Sequence, residues 1–342
     1  MNRHTWVNWY CRAIIAFFLG AFLSTGLLVP TSGAEQPSAK RKYVITGGVV
    51  GAPIYAVGGL LATLMDEKMP GVNASVTTGQ GFTALEQVHK GEAQIGMCGM
   101  DVIANAYTGR EPFKEPRKDM RILGKLAGLY YHFIILADKN ISSLEEIKDK
   151  RPPLRLTTSP KGSLSEFSTR KVLEAYGITY QDLAKWGGKL SHVSWADSAN
   201  LMRDGHADAV SLYGVVPIPV FSELEMSRPI KILTPNLEML KKLVASLGGH
   251  SIVPIRAGVY KAAEKPIPTL GTFQTLIVRA DMPEEDAYMI SKLAFDPENL
   301  KKFKGLIRDY ADALTPEQAA EGLTAPLHPG AERYYRERGW LK

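Results

Sequence analysis

Residues 43–68 have the sequence YVITGGVVGAPIYAVGGLLATLMDEK, in which a glycine-rich turn joins a strand pattern to a helix pattern. Residues 43–46 are rich in β-branched and aromatic side chains, and the apolar residues of 54–68 recur at helical spacing. The same order recurs at 74–90 and at 93–107, again with glycine between strand and helix. Alternating strands and helices build a parallel sheet with helices on its faces, so the sequence predicts an α/β fold.

A second group of strand and helix patterns follows. Its predicted elements are, in order, strand 131–137, helix 141–150, strand 154–158, helix 164–176, strand 192–195, helix 197–204, strand 207–212, strand 269–278, helix 283–295 and helix 299–309. The pattern therefore predicts two α/β units. The sequence alone does not assign the last two helices to either unit.

The composition is that of an ordinary globular protein. Of the 342 residues, 45% are hydrophobic and 22% are charged, which excludes the collagen-like, disordered and disulfide-scaffold classes. The formal net charge is +6, but the basic residues are not clustered, so nucleic-acid binding is not expected. The length is sufficient for two lobes with a sizeable core, and we expect a monomer.

Residues 1–34 are predicted to be a signal peptide. Two arginines precede an apolar run at 13–29, and the small residues at 32–34 form a cleavage site. Because the apolar run approaches the length of a membrane span, a retained signal anchor is the alternative. Residues 35–42 are polar and are predicted to be a flexible lead-in. We therefore expect an exported, periplasmic protein.

The sequence contains few signatures of an enzyme. It has no Walker A motif, no G-x-S-x-G motif, no C-x-x-C and no H-E-x-x-H. No two of the seven histidines have the spacing of metal ligands on one helix, and removal of the signal peptide would leave Cys98 as the only cysteine. We expect neither a catalytic activity nor a bound metal or cofactor. An exported hydrolase that uses Ser163 or Ser165 is the less favoured alternative, since no histidine is linked to either serine by spacing.

The candidate ligand-binding residues lie in the loops that follow the predicted strands. In open α/β sheets, ligands bind at the carboxyl ends of the strands, where loops meet helix N-termini. Backbone N–H groups and serine hydroxyls at the start of the helix at 164–176 are suited to a carboxylate, and Lys161 adds a positive charge. The predicted ligand-binding residues are Val49, Val50, Tyr55, Gly79, Gln80, Gly81, Phe82, Asp101, Ser159, Lys161, Gly162, Ser163, Ser165, Tyr213 and Gly214.

Each of these loops also has a purely structural interpretation. The loop at 159–163 is equally consistent with a helix N-cap and a solvated lysine, and residues 79–81 are equally consistent with a left-handed glycine turn. Asp101 is most simply an N-cap, with a ligand or gating contact as the alternative. Tyr213 would contact a ligand by stacking or by hydrogen bonding. The residues alone leave these alternatives open.

Four stretches of the chain resemble the TAXI family, the extracytoplasmic solute receptors of TRAP transporters. These stretches are 79–107 with GQGFTAL and GEAQIG, 143–177 with SLEEIK and RKVLEAYG, 201–209 with LMRDGHADA, and 326–335 with PLHPGAERYY. The last two are fairly specific, whereas the glycine loops alone are not. Together the four stretches cover nearly all of the chain that follows the predicted signal peptide.

The resemblance implies a type II periplasmic-binding-protein fold, in which two α/β lobes with a ligand cleft between them are joined by two hinge strands. Lobe 1 would begin with residues 43–137, and lobe 2 would comprise 138–268. Residues 269–342 would supply the hinge return and the C-terminal helices of lobe 1. The hinge segments would lie near Phe133–Ala137 and Thr272–Val278.

The resemblance also implies a function. The protein would capture a small organic anion or amino acid by cleft closure and deliver it to a TRAP-type membrane permease. The cleft loops depart from the family pattern, since residues 46–48 read TGG in place of glycine-threonine-glycine and Lys161 replaces a residue that is more often uncharged. Ligand identity is therefore left open. A ligand-sensing partner of a signalling receptor is an alternative that the sequence does not separate from transport.

Overall fold

The computed structural model describes residues 40–48, 50, 53–79, 81–306 and 315–342. The predicted signal peptide, residues 35–39 of the predicted lead-in, and the candidate residues Val49 and Gln80 lie outside this part of the chain. No helix within the described residues is both long enough and apolar enough to cross a membrane.

The first half of the fold contains three strands, each followed by a helix, as predicted. These elements are β1 (Arg41–Thr46), α1 (Pro53–Lys68), β2 (Val72–Thr77), α2 (Phe82–His89), β3 (Ile95–Gly99) and α3 (Met100–Thr108). β1 pairs in parallel with β2 and with β3. The strand begins earlier than predicted, so Arg41 and Lys42 belong to β1 and not to a flexible lead-in. The Arg41 guanidinium is held in place by an ion pair with Asp286.

The second half is built from shorter strands and helices between two long strands. The elements are β4 (Met120–Leu136), α4 (Leu144–Lys150), β5 (Arg155–Thr158), α5 (Leu164–Ala175), α6 (Tyr180–Lys185), β6 (Lys189–His192), α7 (Trp195–Arg203), β7 (Ala209–Gly214), α8 (Pro219–Ser227), β8 (Ile230–Leu233), α9 (Leu237–Ser246), β9 (Ser251–Ile255) and β10 (Ile267–Arg279). The strands follow the order β2-β1-β3-β10-β4-β7-β5-β6, with β8 paired to β4 and β9 to β10.

The long strands β4 and β10 run through both halves and join them. β4 pairs with β10 as far as Tyr130 and with β7 from Tyr130 onward. β10 pairs with β9 as far as Gly271 and with β3 from Gln274. The second predicted hinge segment overlaps this exchange of partners. The prediction of the first near Phe133–Ala137 is wrong, because Phe133 and the residues after it already pair with β7 and β8 inside the second half.

The C-terminal helices pack on the first half, which answers the question that the sequence left open. They are α10 (Glu284–Phe295), α11 (Pro297–Leu306), a short 3-10 helix (Pro316–Ala320) and α12 (Pro329–Glu337). Leu293 and Tyr335 share one apolar core with Ile45 of β1 and Met65 of α1. The hydroxyl of Tyr335 also donates to the carbonyl oxygen of Leu123 at 2.9 Å. The chain therefore leaves the first half once and returns to it.

One predicted strand is displaced. The prediction at 192–195 is wrong at its end, because β6 ends at His192 and α7 begins at Trp195. Ser194 is the reason, since its hydroxyl accepts a hydrogen bond from the N–H of Asp197 at 3.1 Å and caps the helix. This shift places the indole of Trp195 at the start of a helix and beside the cleft described next.

Candidate ligand-binding cleft

A cleft with about 850 Å³ of empty space, part of it open to solvent, lies between the two halves. One wall comes from the loops after β1 and β2 and from β3, and the floor comes from the crossing strands β4 and β10. The opposite wall comes from the starts of α5 and α7 and from the end of β7.

Six of the predicted ligand-binding residues line this cleft, namely Gly81, Ser159, Ser163, Ser165, Tyr213 and Gly214. Seven other described candidates do not, namely Val50, Tyr55, Gly79, Phe82, Asp101, Lys161 and Gly162. Val50 is 73% exposed on the rim, and Lys161 is also exposed. Phe82 is buried between the rings of Phe113 and Phe167. Its position indicates a packing role in the core.

The glycine loops of the first half allow a close approach to α5. Gly48 and Gly79 form a β-bridge, in which the N–H of Gly79 donates to the carbonyl of Gly48 at 2.9 Å. Gly81 has a φ of 48°, and a Cβ at this position would lie 3.1 Å from the backbone nitrogen of Leu164 across the cleft. Only glycine combines this backbone conformation with so close a contact.

The start of α5 presents backbone donors to the cleft. Ser163 caps the helix, since its hydroxyl accepts from the N–H of Glu166 at 3.2 Å. The next free donors are the N–H groups of Leu164 and Ser165, which have no hydrogen-bond partner among the described residues. Both residues line the cleft. A helix N-terminus of this kind attracts an anionic group of a ligand.

The serine hydroxyls of the second half hold its cleft wall together. The Ser165 hydroxyl accepts from the N–H of Tyr213 at 3.0 Å, and the Ser159 hydroxyl accepts from the indole N–H of Trp195 at 3.1 Å. No histidine bonds to Ser163 or Ser165 within the described part of the chain. The hydroxyls that the hydrolase alternative would need as nucleophiles are therefore engaged in structural hydrogen bonds.

The two halves also contact each other through side chains that do not line the cleft. Glu111, in the segment between α3 and β4, forms ion pairs with Arg170 at 2.9 Å and with Lys171 at 2.7 Å, both on α5. The hydrogen bond from Lys171, together with the neighbouring Arg170, holds the pKa of Glu111 below its usual value. Beside these pairs, the rings of Phe82 and Phe167 lie 5.2 Å apart. These contacts join the two halves.

A group of polar side chains adjoins the cleft through Tyr213, its one member that lines the cleft. We call Asp101, Tyr213 and His250 the base cluster. Asp101 is the second residue of α3, whose N-cap is Gly99, so the prediction of Asp101 as an N-cap is wrong. Burial raises the pKa of Asp101, and the nearby His250 opposes this shift. An ideal Cβ on Gly99, which lines the cleft, would lie 2.2 Å from the Asp101 carboxylate.

Several residues that line the cleft were not among the sequence candidates. Trp195, Gln274 and Leu129 face it, and none of them lies in a glycine loop. Leu129 and Gln274 sit in the crossing strands, whose role depends on long-range pairing that a local pattern does not show. No lysine or arginine is found among the described residues that line the cleft.

Comparison with known proteins supports this architecture. The chain is similar to MatC from Rhodopseudomonas palustris, solved with bound malate, with a TM-score of 0.52, 13% identity, and coverage of 87% of this chain and 97% of that one. It is also similar to the periplasmic binding protein BugD, with a TM-score of 0.50, 14% identity, and coverage of 88% and 98%. The predicted two-lobe type II fold is thereby confirmed. A family model described as NMT1-like matches residues 44–339, and the chain therefore belongs to the NMT1-like family.

Proposed function

We propose that this protein is an exported solute-binding receptor that encloses a small organic molecule between its two lobes. The observation that carries the proposal is the cleft at the strand ends, walled by both halves, with free backbone donors at the start of α5. Membership of the NMT1-like family and the fold shared with periplasmic binding proteins support it.

Binding would be coupled to closure of the lobes. The crossing strands β4 and β10 are the two connections about which the halves could rotate, with residues 130 and 272 as the proposed limits of lobe 2 in place of 138 and 268. Closure requires a ligand that binds the closed arrangement better than the open one. The Glu111 ion pairs and the Phe82–Phe167 contact are groups that such closure would bring together.

Delivery of the solute to a TRAP-type membrane permease is the second part of the proposal. It rests on the four stretches that resemble the TAXI receptors. The closed receptor would present both lobe surfaces to the permease, and opening would release the solute. Release in this scheme needs no covalent chemistry and no cofactor.

The ligand class is proposed as a small organic acid or amino acid. The free N–H groups of Leu164 and Ser165 would bind its carboxylate, because backbone donors at a helix N-terminus favour an anion. Lys161 is exposed and does not line the cleft, so we assign it no role in holding the ligand.

A ligand screen tests this function. The midpoint of thermal unfolding of the purified protein is measured against a panel of small carboxylic acids and amino acids. A ligand present at 100 times its Kd stabilises the folded state by about 2.7 kcal/mol, which raises the midpoint measurably. If no compound raises it, and no small molecule is found by mass spectrometry of the purified protein, the receptor function is wrong.

Two tryptophan variants show whether binding occurs in this cleft. Ile54 is partly buried and lines the cleft, whereas Val50 lies nearby on the exposed rim. Ile54→Trp is expected to fill the cleft and abolish ligand binding, and Val50→Trp is expected to leave the affinity unchanged. Wild-type affinity in Ile54→Trp would place the ligand elsewhere.

A further inference from the structure

The base cluster contains three buried polar atoms that have no hydrogen-bond partner among the described residues: Asp101 Oδ2, the Tyr213 hydroxyl and His250 Nε2. Asp101 is 0% exposed and Tyr213 is 3% exposed. Nearly all buried polar atoms in folded proteins are hydrogen-bonded, and an unpaired one destabilises the fold. Three such atoms in one place therefore require an explanation.

The three side chains are neighbours, although they come from three different segments. The nearby His250 lowers the pKa of Asp101, and the nearby Asp101 carboxylate raises the pKa of Tyr213. The rings of Tyr213 and His250 meet edge to face, with their centroids 5.8 Å apart. Gly249 makes this possible, because it packs so closely on the first turn of α3 that an added Cβ would lie 2.7 Å from the backbone nitrogen of Asp101.

The base cluster adjoins the cleft through two lining residues. Tyr213 itself lines the cleft, and so does Gly99, whose Cα lies against the Asp101 carboxylate. Among the described residues, the only side-chain hydrogen bond to Asp101 comes from Thr272, at the long distance of 3.5 Å, and the backbone N–H groups of Asp101 and Val102 also lower the pKa of this carboxylate without reaching Oδ2. The same Thr272 hydroxyl donates to the carbonyl of Gly249 at 2.8 Å, so its single proton is already engaged. The carboxylate is therefore open to a better donor.

The base cluster is rich in acceptors. Nδ1 of His250 lies 3.1 Å from the carbonyl oxygen of Gly248, which only accepts, so Nδ1 is the donor in this hydrogen bond. The Asp101 carboxylate is an acceptor with two oxygens, and the Tyr213 hydroxyl accepts or donates. A group with several N–H donors and a positive charge matches this set. A second carboxylate on the ligand does not match it, because no lysine or arginine lines the cleft among the described residues.

We infer that the base cluster binds a primary ammonium group of the solute, with Asp101 as its principal acceptor. The inference rests on the proposed receptor function and specifies the ligand further. The solute would place an anionic group at the start of α5 and an ammonium group at the base cluster. Its remaining carbon skeleton would pack on the apolar side chains of Ile54, Met97 and Leu129. A dicarboxylate without an amine would be a poor ligand.

Matched pairs of ligands that differ only at the amine test this inference. The pairs are L-leucine and 2-hydroxy-4-methylpentanoate, L-phenylalanine and 3-phenyllactate, and L-glutamate and 2-hydroxyglutarate. In each pair, the second compound has a hydroxyl in place of the ammonium group and keeps the carboxylate and the side chain. Affinities are measured by isothermal titration. For the pair that binds best, the amine is expected to bind at least about tenfold more tightly, the value of one charge-assisted hydrogen bond.

Variants assign this preference to the base cluster. Asp101→Asn is expected to lower the amine-to-hydroxyl affinity ratio to near one. Tyr213→Phe removes only an unpartnered hydroxyl and is expected to lower the ratio less.

Asp286→Asn is the control, since Asp286 is 4% exposed and bonds to Tyr43 and Arg41 of β1, away from the cleft. It is expected to lower stability and leave the ratio unchanged. Circular dichroism verifies the fold of each variant, and Tyr213→Phe decides if Asp101→Asn does not fold.

The outcomes separate this inference from the proposed function. Hydroxy acids that bind as tightly as their amines would overturn the ammonium site and leave the receptor function standing. A preference for amines that persists in Asp101→Asn would also overturn the assignment to the base cluster. If neither series binds, the receptor function fails for this ligand class and the ammonium site fails with it.

Discussion

His132 is fully buried on β4, just beyond the point where this strand changes partners. Its Nδ1 lies 2.8 Å from the carbonyl oxygen of Tyr130, and its Nε2 lies 3.2 Å from the hydroxyl of Tyr260. Burial lowers the pKa of His132 to about 4. The side chain therefore stays neutral in the folded protein under conditions in which the unfolded chain takes up a proton.

The depressed pKa of His132 predicts a pH dependence of stability. Between pH 6.5 and 4 the unfolded state binds the extra proton, so the free energy of unfolding falls as the pH falls, by about 3 kcal/mol over the whole interval. Urea unfolding at pH 7.5 and pH 4.5 measures this change. His132→Gln is expected to reduce the slope in this window, and His206→Gln, at an exposed position, is expected to leave it unchanged. If stability depends on pH as steeply in His132→Gln as in the wild-type protein, the prediction is wrong.

At the level of single residues, the sequence predicts loop positions better than side-chain surroundings. Gly81, Ser163 and Tyr213 could be nominated because each follows a strand pattern or begins a helix, and all three line the cleft. Lys161 has the same local signal, yet its side chain is exposed. His250 has no such signal, because its place beside Asp101 depends on the packing of a distant loop onto α3.

At the level of elements, Glu111 links the segment before β4 to α5. Glu111→Gln removes its ion pairs with Arg170 and Lys171. Exposed ion pairs contribute up to about 1 kcal/mol each, so ligand affinity is expected to fall about two- to fivefold with little change in thermal stability. The difference in ligand affinity between Glu111→Gln and the wild-type protein is expected to shrink at high salt, which screens exposed charges.

Glu174→Gln provides the matched control for this element. Glu174 pairs with the same Arg170 and Lys171, but within α5 itself. Its replacement removes ion pairs of the same kind without removing a link between the halves. Equal losses of affinity in the Glu111 and Glu174 variants would show that the Glu111 pairs do not favour closure.

The elements that were missed are those whose identity depends on tertiary pairing. The first part of β4 contains Gly124, Lys125 and Gly128, which have weak strand propensity, and its pairing with β10 compensates for this. Trp195 belongs to a β-rich run, but the capping hydroxyl of Ser194 begins a helix there. The glycine-separated elements β1 to α3 were predictable because local turn chemistry and hydrophobic periodicity agree.

At the scale of the whole molecule, the two crossing strands β4 and β10 connect the halves. They attach one half to the other at residues 129–131 and 271–274 and leave the cleft between them. The C-terminal helices anchor the returning chain on the first half through Tyr335 and Leu123. We propose that motion between the halves is concentrated in these two short segments, as expected for hinge closure.

The central claim is that the two lobes close around a solute bound in this cleft. Small-angle X-ray scattering of the purified protein, with and without a saturating ligand from the thermal screen, tests it most directly. The claim predicts a smaller radius of gyration with ligand, and no change when the same compound is added to Ile54→Trp. An unchanged radius of gyration in the saturated wild-type protein would contradict capture by closure.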